Sequence, residues 1–404
     1  MDFSFKHSLW QAQNLPNGFS LHNGILSGSH NVKGSFSVPV TVTTPFGSDT
    51  KNITINVRNR PGSEKFPILQ DGIEIEQVTI PQLQSMVQDG TAQQKYNCTN
   101  TQIVIPMQSP YIFAAENTHR RDISYELQPQ SFNAALNFCD FQNVTLQDDS
   151  IVPGLVLQFE RTLWWNYTCF DYSDFQYTNC HNRWKFSNLR QWLNSSGLNW
   201  FTPAYPGDNI SGWMNEEDDH SYYLADDSVG FLSLLPDDIQ DILQPVKVIT
   251  SAYWDEENEN LPEPELIDNV DCDVSFDKVF IPSLSQMGFS NSFNSYVEMG
   301  LPNATEFTIT APSIEGSTWA FYSYVQNNNL WDNLYKYMLE ETFIEDDFMS
   351  SGIRCKLMTR TPYTDYYRQI YVIYHNRYSN NKDAGLDDVA INAMTSPAPA
   401  FVIC

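Results

Sequence analysis

Residues 35–42 read SFSVPVTV and residues 52–57 read NITINV. In both stretches apolar residues alternate with polar ones, which is the period-two pattern of a β-strand that buries one face. The residues PFGSD at 45–49 lie between them and favour a turn, and LPNG at 15–18 supplies another turn upstream. These signals predict short antiparallel strands and therefore an all-β N-terminal region.

The order of these signals resembles the immunoglobulin-like domains of bacterial and phage surface proteins. The resemblance covers roughly residues 9–57 and rests on LPNGFSLHNGILSG at 15–28, a glycine-led strand after it, a Gly-Ser turn and a final ITINV at 53–57. It implies an immunoglobulin-like β-sandwich over residues 1–60. Such a module has no active site of its own, and its usual role is spacing or docking.

The polar residues RNRPGSEK at 58–65 are interrupted by Pro-Gly and predict an interdomain linker, which we assign to residues 61–71. We expect a larger α+β domain over residues 72–404. Its first helix is indicated by apolar residues at i, i+3 and i+4, with a proline at its start and a glycine at its end. The predicted helices are 80–90, 184–194 and 235–243, and the predicted strands are 246–250, 278–282, 306–310, 369–374 and 400–403.

Read in order, these pieces resemble an uncharacterised domain family of Firmicutes and their phages. The matching segments are QDG at 88–90, WKFSNLRQWLN at 184–194, LPDDIQ at 235–240, FIPSL at 280–284, TRTP at 359–362 and PAFVI at 399–403. The resemblance implies structural roles for Trp184, Ser187, Arg190, Trp192, Arg360 and Pro362.

Two residues depart from this family pattern. Thr361 replaces the usual serine, and Pro282 lies inside a predicted strand, where a proline cannot donate to the ladder. We therefore expect that strand at a sheet edge. The Arg-Thr-Pro segment is also similar to C-type-lectin-like folds, which include sulfatase-modifying enzymes and phage receptor binders.

Composition excludes several classes of protein. The chain has 22 basic and 49 acidic residues in 404, and a net charge of −27 repels phosphate backbones, so we expect no nucleic-acid binding. Aromatic residues at 14% are too frequent for a disordered chain. We find no apolar run of about 18 residues and no export signal, and expect no membrane insertion.

No catalytic residue is predicted, because nucleophile elbows, zinc-binding HExxH helices and Walker A loops are absent. The seven histidines are dispersed, and the seven cysteines are odd in number without a C-x-x-C pair. A sulfatase-modifying enzyme would need reactive cysteines near the chain end. Cys355 and Cys404 qualify only by position, and structural thiols are the better interpretation.

Acidic residues offer the one metal hypothesis. Asp268, Asp271, Asp273 and Asp277 could supply oxygen ligands to calcium, although they lack the register of an EF-hand. The alternative is a solvated charged segment. We predict no other cofactor.

Aromatic residues beside asparagine and aspartate suit sugar faces and hydroxyls, or a protein hot spot. The candidates for ligand contact are Trp164, Trp165, Trp213, Tyr253 and Trp254. Packing in the core is the competing interpretation, above all for the two consecutive tryptophans.

Together these features favour a non-enzymatic phage virion protein, assembled in the host cytoplasm as a capsid decoration, head fibre or tail component. Its immunoglobulin-like module would dock on other virion proteins. The larger domain would be displayed to bind host-surface glycans or a receptor, with a homo-oligomer as the default assembly. A bacterial surface adhesin and, below it, a sulfatase-modifying enzyme are the alternatives.

Overall fold

The chain divides into two compact units, residues 1–64 (unit 1) and residues 65–404 (unit 2). The structure is a computed structural model, in which both units are rich in β-strands and the helices are short. It describes residues 9–16, 19–22, 24–28, 34–44, 47–57, 62–109, 130–163, 170–171, 181–197, 200–204, 229–252, 261–289, 293–294, 308–309, 313–328, 330, 334, 338, 355–362, 369–375, 384–390 and 397–404.

The described part of unit 1 contains two small antiparallel sheets. Its longest hairpin pairs Gly34 with Val57 and Thr44 with Gly47, and the two predicted strands lie inside it. A shorter strand adds to this hairpin, giving a three-stranded sheet of order β1-β4-β5, while β2 pairs with β3 alone. The strands are β1 (Leu9–Ala12), β2 (Phe19–His22), β3 (Ile25–Gly28), β4 (Gly34–Thr44) and β5 (Gly47–Val57).

Unit 2 contains several sheets joined by short helices. Its described strands are β6 (Lys65–Gln70), β7 (Ile73–Thr79), β8 (Thr101–Ser109), β9 (Gln130–Thr145), β10 (Ile151–Phe159), β11 (Ser196–Gly197), β12 (Gly230–Phe231), β13 (Val246–Ser251), β14 (Glu265–Ile267), β15 (Val270–Asp277), β16 (Val279–Phe280), β17 (Phe293–Asn294), β18 (Thr308–Ile309), β19 (Cys355–Pro362), β20 (Gln369–His375), β21 (Ala384–Ala390) and β22 (Ala400–Ile403). Its described α-helices are α1 (Ile80–Gln88), α2 (Thr91–Lys95), α3 (Asn188–Leu193), α4 (Asp237–Gln240) and α5 (Ala320–Asn327).

A seven-stranded antiparallel sheet of order β16-β22-β10-β9-β8-β6-β7 forms the centre of unit 2. The last residues of the chain lie deep in this sheet, where Leu155 pairs with Ile403 and all four residues of β22 are buried. The core continues from the sheet to α1, α3 and α5. Two three-stranded sheets, of order β13-β15-β14 and β19-β20-β21, complete the larger described elements.

Helix α1 begins and ends where the sequence predicts, within two residues. Thr79 and Gln82 form a capping box, in which each side chain accepts a hydrogen bond from the other residue's backbone N–H. Leu83 and Val87 are buried on one face, as their spacing requires. The helix ends before Gly90, whose φ of 79° is readily adopted by glycine.

The predicted linker is wrong over residues 65–70. These residues form β6, an inner strand of the large sheet, with Phe66 and Ile68 fully buried. The sequence did not predict this strand, because polar residues precede it and a proline lies at position 67. Unit 2 therefore begins at Lys65 rather than at residue 72.

One predicted strand and one predicted helix are shorter than expected. Helix α4 covers four residues rather than nine. Of the strand predicted at 306–310, residues 308–309 form β18 and the others lie outside the described residues. The strand predicted at 278–282 contracts to β16, which lies at an edge of the large sheet and ends before Pro282. The expected edge position is confirmed. No helix among the described residues is both long and apolar enough to cross a membrane.

Candidate functional site

A helical segment at residues 181–194 organises the interior of unit 2. It contains a 3-10 turn at Trp184–Phe186 and helix α3. Ser187 separates the two and caps α3, since its hydroxyl accepts a hydrogen bond from the backbone N–H of Arg190 at 3.2 Å. Trp184 and Trp192 are almost fully buried. Trp184, Ser187, Arg190 and Trp192, for which structural roles were predicted, thus lie together in one capped, tightly packed segment.

Arg183 forms a buried ion pair with Asp273 on β15. Its Nε and Nη2 donate to the two carboxylate oxygens at 2.7 and 2.5 Å, the bidentate geometry that arginine favours. Both side chains are less than 5% exposed. The remaining Nη1 donates to the backbone oxygen of Pro262 at 2.6 Å. Sequence reasoning missed Arg183, although it directly precedes the Trp184 motif.

Arg190 forms a second pair with Asp277, four residues further along β15. Its Nε donates to Asp277 at 2.6 Å, and the same carboxylate accepts from Trp184 Nε1 at 2.9 Å and from the Ser275 hydroxyl at 2.7 Å. Residues two apart on a strand share a face, so Asp273, Ser275 and Asp277 all point into the interior. The buried carboxylates hold the helical segment against β15.

The third arginine, Arg360, lies on β19 and is fully buried. Its Nη1 donates to the Ile281 oxygen and to Gln286 Oε1, both at 2.7 Å, and its Nη2 donates to the Glu315 backbone oxygen at 3.0 Å. Burial lowers the pKa of the guanidinium to about 10, and the nearby carboxylates of Glu315 and Asp277 oppose that shift. Pro362 is also buried and pairs with Ile370 across the sheet.

Glu315 is a buried acid that interacts electrostatically with this arginine. Its carboxylate accepts from the Ser251 N–H at 2.9 Å, from the Ser251 hydroxyl at 2.7 Å and from the Thr361 hydroxyl at 2.5 Å. Burial raises the pKa of Glu315, and Arg360 and the hydrogen bonds only partly offset this effect. No local pattern marked Glu315 in the sequence.

The calcium hypothesis is corrected by these contacts. Asp273 and Asp277 bind guanidinium groups, so their oxygens are not available to a cation. Asp268 lies at the β14–β15 turn with a φ of 50°, and Asp271 is exposed. Within the described part of the chain, no group of three His, Cys, Asp or Glu side chains is arranged to hold a metal ion. The four aspartates do not assemble into one site.

The five aromatic candidates for ligand contact lie outside the described residues. They fall in three segments of the chain, 164–169, 205–228 and 253–260, and a fourth segment outside the described residues, 172–180, follows the first closely in sequence. The residues that flank these segments lie within the described part of the chain. Most of them are held by the same helical segment at 181–194.

The first two segments end on α3. The Leu189 N–H donates to the Phe170 oxygen at 3.1 Å, directly after residues 164–169. Asp171 and His181 flank residues 172–180 and are joined to each other, since Asp171 Oδ2 accepts from the His181 N–H at 3.1 Å. The other oxygen of Asp171 accepts from the Asn188 N–H at 3.1 Å. One buried carboxylate thus closes the base of the segment and fixes it to α3.

The other two segments meet the same helical segment. Thr202, shortly before residues 205–228, donates its N–H to Gln191 Oε1 at 2.8 Å, and Trp192 Nε1 donates to the oxygen of Val229 at 2.9 Å, directly after them. Pro262, two residues after 253–260, is held by Arg183. Four segments, three of which carry the predicted ligand-contact residues, are therefore flanked by residues that contact one common base, the helical segment at 181–194.

The described thiols do not form a reactive site. Cys98, Cys139, Cys272 and Cys404 are free and buried, and burial raises the pKa of each thiol. Cys404, one of the two positional candidates for a reactive cysteine, directly follows β22 and is 5% exposed. A thiol with a raised pKa is a poor nucleophile at neutral pH.

Asp140 on β9 is a partly buried acid with a raised pKa. Burial raises it to about 6, while hydrogen bonds from the N–H groups of Phe141 and Ala320 act in the opposite direction. Since Ala320 is the first residue of α5, the carboxylate connects β9 to the start of that helix. This contact is structural and gives unit 2 a titratable group within the physiological range.

Comparison of the chain with protein-family models, with curated proteins and with solved structures finds no match. The function therefore has to be argued from the base at 181–194 and from the segments that emerge from it.

Proposed function

We propose that this protein is a non-enzymatic structural component of a phage particle, and that unit 2 binds glycans or a receptor on the host surface. In this proposal unit 1 is an immunoglobulin-like module that attaches the protein to other virion proteins. Unit 2 is a C-type-lectin-like body whose four segments form the recognition surface. The observation that carries the proposal is their common attachment to the helical segment at 181–194.

Binding residues of many proteins lie on irregular segments positioned by a rigid scaffold. The scaffold here is stiffened by buried, charge-assisted hydrogen bonds, which are stronger than neutral ones. Arg183, Asp171 and Gln191 each hold the end of a different segment. A base of this kind tolerates variation in the segments without loss of the fold, which suits a protein that recognises a variable host surface.

The composition of the four segments suggests the chemical class of ligand. Their 47 residues include twelve aromatic and twelve acidic residues and no lysine or arginine. Aromatic rings stack on sugar faces, and carboxylates accept hydrogen bonds from hydroxyl groups. The same carboxylates repel anionic polymers such as phosphodiesters. We therefore expect neutral or amino-substituted sugars as ligands.

An enzyme of the sulfatase-modifying kind gains no support, because such an enzyme needs a thiol of low pKa in a cleft. The described thiols are buried and have raised pKa values. An adhesin on a bacterial surface would use the same recognition surface. The two proposals differ in the particle or cell to which unit 1 attaches.

The full chain, applied to an array of bacterial cell-wall glycans, tests the proposal. We expect saturable binding that falls at least about tenfold when Trp213→Ala and Trp254→Ala are combined. Tyr324→Ala removes an aromatic side chain of α5 that is 39% exposed, and it should leave binding unchanged. Absence of binding, or binding that both tryptophan substitutions leave intact, would refute the recognition role.

A further inference from the structure

Few side chains are buried among the residues of unit 1 whose burial the structure describes. The buried residues among them are Pro16, Val38 and Ile55. A domain of about 60 residues is marginally stable even with a full core, and a small sheet needs its hydrophobic face covered. The described part of unit 1 therefore leaves apolar surface that another molecule can cover.

The apolar surface is concentrated where β1 meets the β2–β3 hairpin. Leu9, Trp10 and Ile25 are 57%, 37% and 68% exposed. The indole of Trp10 lies against Gly24, because a Cβ placed on that glycine would be 3.0 Å from Trp10 Cε2. Ile25 follows Gly24 directly in the chain. We call these three exposed residues the Trp10 corner.

The charge of the chain is distributed unevenly between the units. Residues 1–64 contain five basic and three acidic residues, whereas residues 65–404 contain 17 basic and 46 acidic residues. The net charges are +2 and −29 respectively. In the described part of unit 1 the charged residues are Asp49, Lys51 and Glu64. The Trp10 corner itself is uncharged.

The unequal net charges of the two units favour a second copy of the chain as the molecule that covers the Trp10 corner. Two copies of unit 2 repel each other strongly, so copies of this chain meet at the lowest electrostatic cost through unit 1. Protein interfaces are poor in charged residues and rich in tryptophan at their centres. We propose that the Trp10 corner of one copy packs on unit 1 of a second copy, so that unit 1 is the self-association module of the protein.

Analytical ultracentrifugation of the full chain tests this proposal without any particle or ligand, so its outcome is independent of the proposed function. We expect reversible association at micromolar concentrations. Association should strengthen from 50 mM to 500 mM salt, because salt screens the repulsion between the acidic units. Ile25→Glu and Leu9→Glu should each raise the dissociation constant about tenfold or more, since each places a charge in an apolar contact.

Ile151→Glu is the matched control, because Ile151 is 69% exposed and lies on β10 of unit 2. It should leave the dissociation constant unchanged. Unaltered circular dichroism would show that the unit 1 variants remain folded. The proposal is overturned if the wild-type chain is monomeric throughout, if neither unit 1 variant weakens association, or if Ile151→Glu weakens it equally.

Discussion

Asp277→Ala tests whether the buried ion pairs of unit 2 hold its scaffold together. The carboxylate is fully buried and accepts three hydrogen bonds, from Arg190 at 2.6 Å, from Ser275 at 2.7 Å and from Trp184 at 2.9 Å. Alanine removes all three acceptor contacts at once. It leaves a guanidinium that is only 22% exposed without its carboxylate.

The size of the effect follows from this arrangement. Removing one partner of a buried ion pair costs about 3–5 kcal/mol, because the remaining charge stays desolvated. Because Arg190 is partly exposed, the expected cost lies toward the lower end of this range. The Ser275 hydroxyl and the Trp184 indole N–H also lose their acceptor, which adds to the loss of stability. We expect the free energy of unfolding of unit 2 to fall by about 4 kcal/mol. Asp277→Asn keeps the shape of the side chain and one acceptor oxygen, so the free energy of unfolding should fall by about half as much as in Asp277→Ala.

Urea unfolding of the full chain, followed by tryptophan fluorescence and far-ultraviolet circular dichroism, measures the change. Asp271→Ala is the matched control, because this aspartate lies on the same strand and is exposed. It should alter the free energy of unfolding by less than about 0.5 kcal/mol. The reasoning is refuted if Asp277→Ala lies within about 1 kcal/mol of the wild type, or if both alanine variants are equally destabilised.

Three further predictions concern other parts of the molecule. Gly230→Ala should destabilise unit 2 by about 2 kcal/mol in urea, because the new Cβ would lie 2.3 Å from the backbone oxygen of Ser195; wild-type stability would contradict that close approach. Asp140 has a raised folded-state pKa, so its stabilising contribution is complete below about pH 4 and is lost as the pH rises through about 6. In Asp140→Asn the free energy of unfolding should depend less on pH over that window. A pH dependence identical to that of the wild type would contradict a raised pKa of Asp140. Deleting residues 1–60 should abolish incorporation into particles while unit 2 remains folded by circular dichroism, and a truncated chain that still assembles would overturn the docking role.

Local patterns in the sequence predicted the elements whose formation depends on neighbouring residues. The alternation in residues 35–42 identified a strand, and the capping residues Thr79 and Ser187 begin helices in the structure. The hydroxyl of Ser187 accepts a hydrogen bond from the Arg190 backbone N–H at the start of α3. These elements are predictable because hydrophobic period and capping act over a few residues.

The buried charges were not predictable in the same way. Asp273 and Asp277 looked like exposed acids or calcium ligands, since isolated carboxylates are rarely buried. Their partners, Arg183 and Arg190, lie about 90 positions earlier in the chain. Only the folded arrangement brings such distant residues together, and no periodicity in the sequence records it.

Hydrogen–deuterium exchange of the full chain, with and without a glycan that it binds, tests the central claim most directly. We predict that ligand slows exchange in segments 164–169, 172–180, 205–228 and 253–260 together, because they share the base at 181–194. Exchange in unit 1 should not change. Protection confined to unit 1, or to other parts of unit 2, would contradict a recognition surface carried by this base.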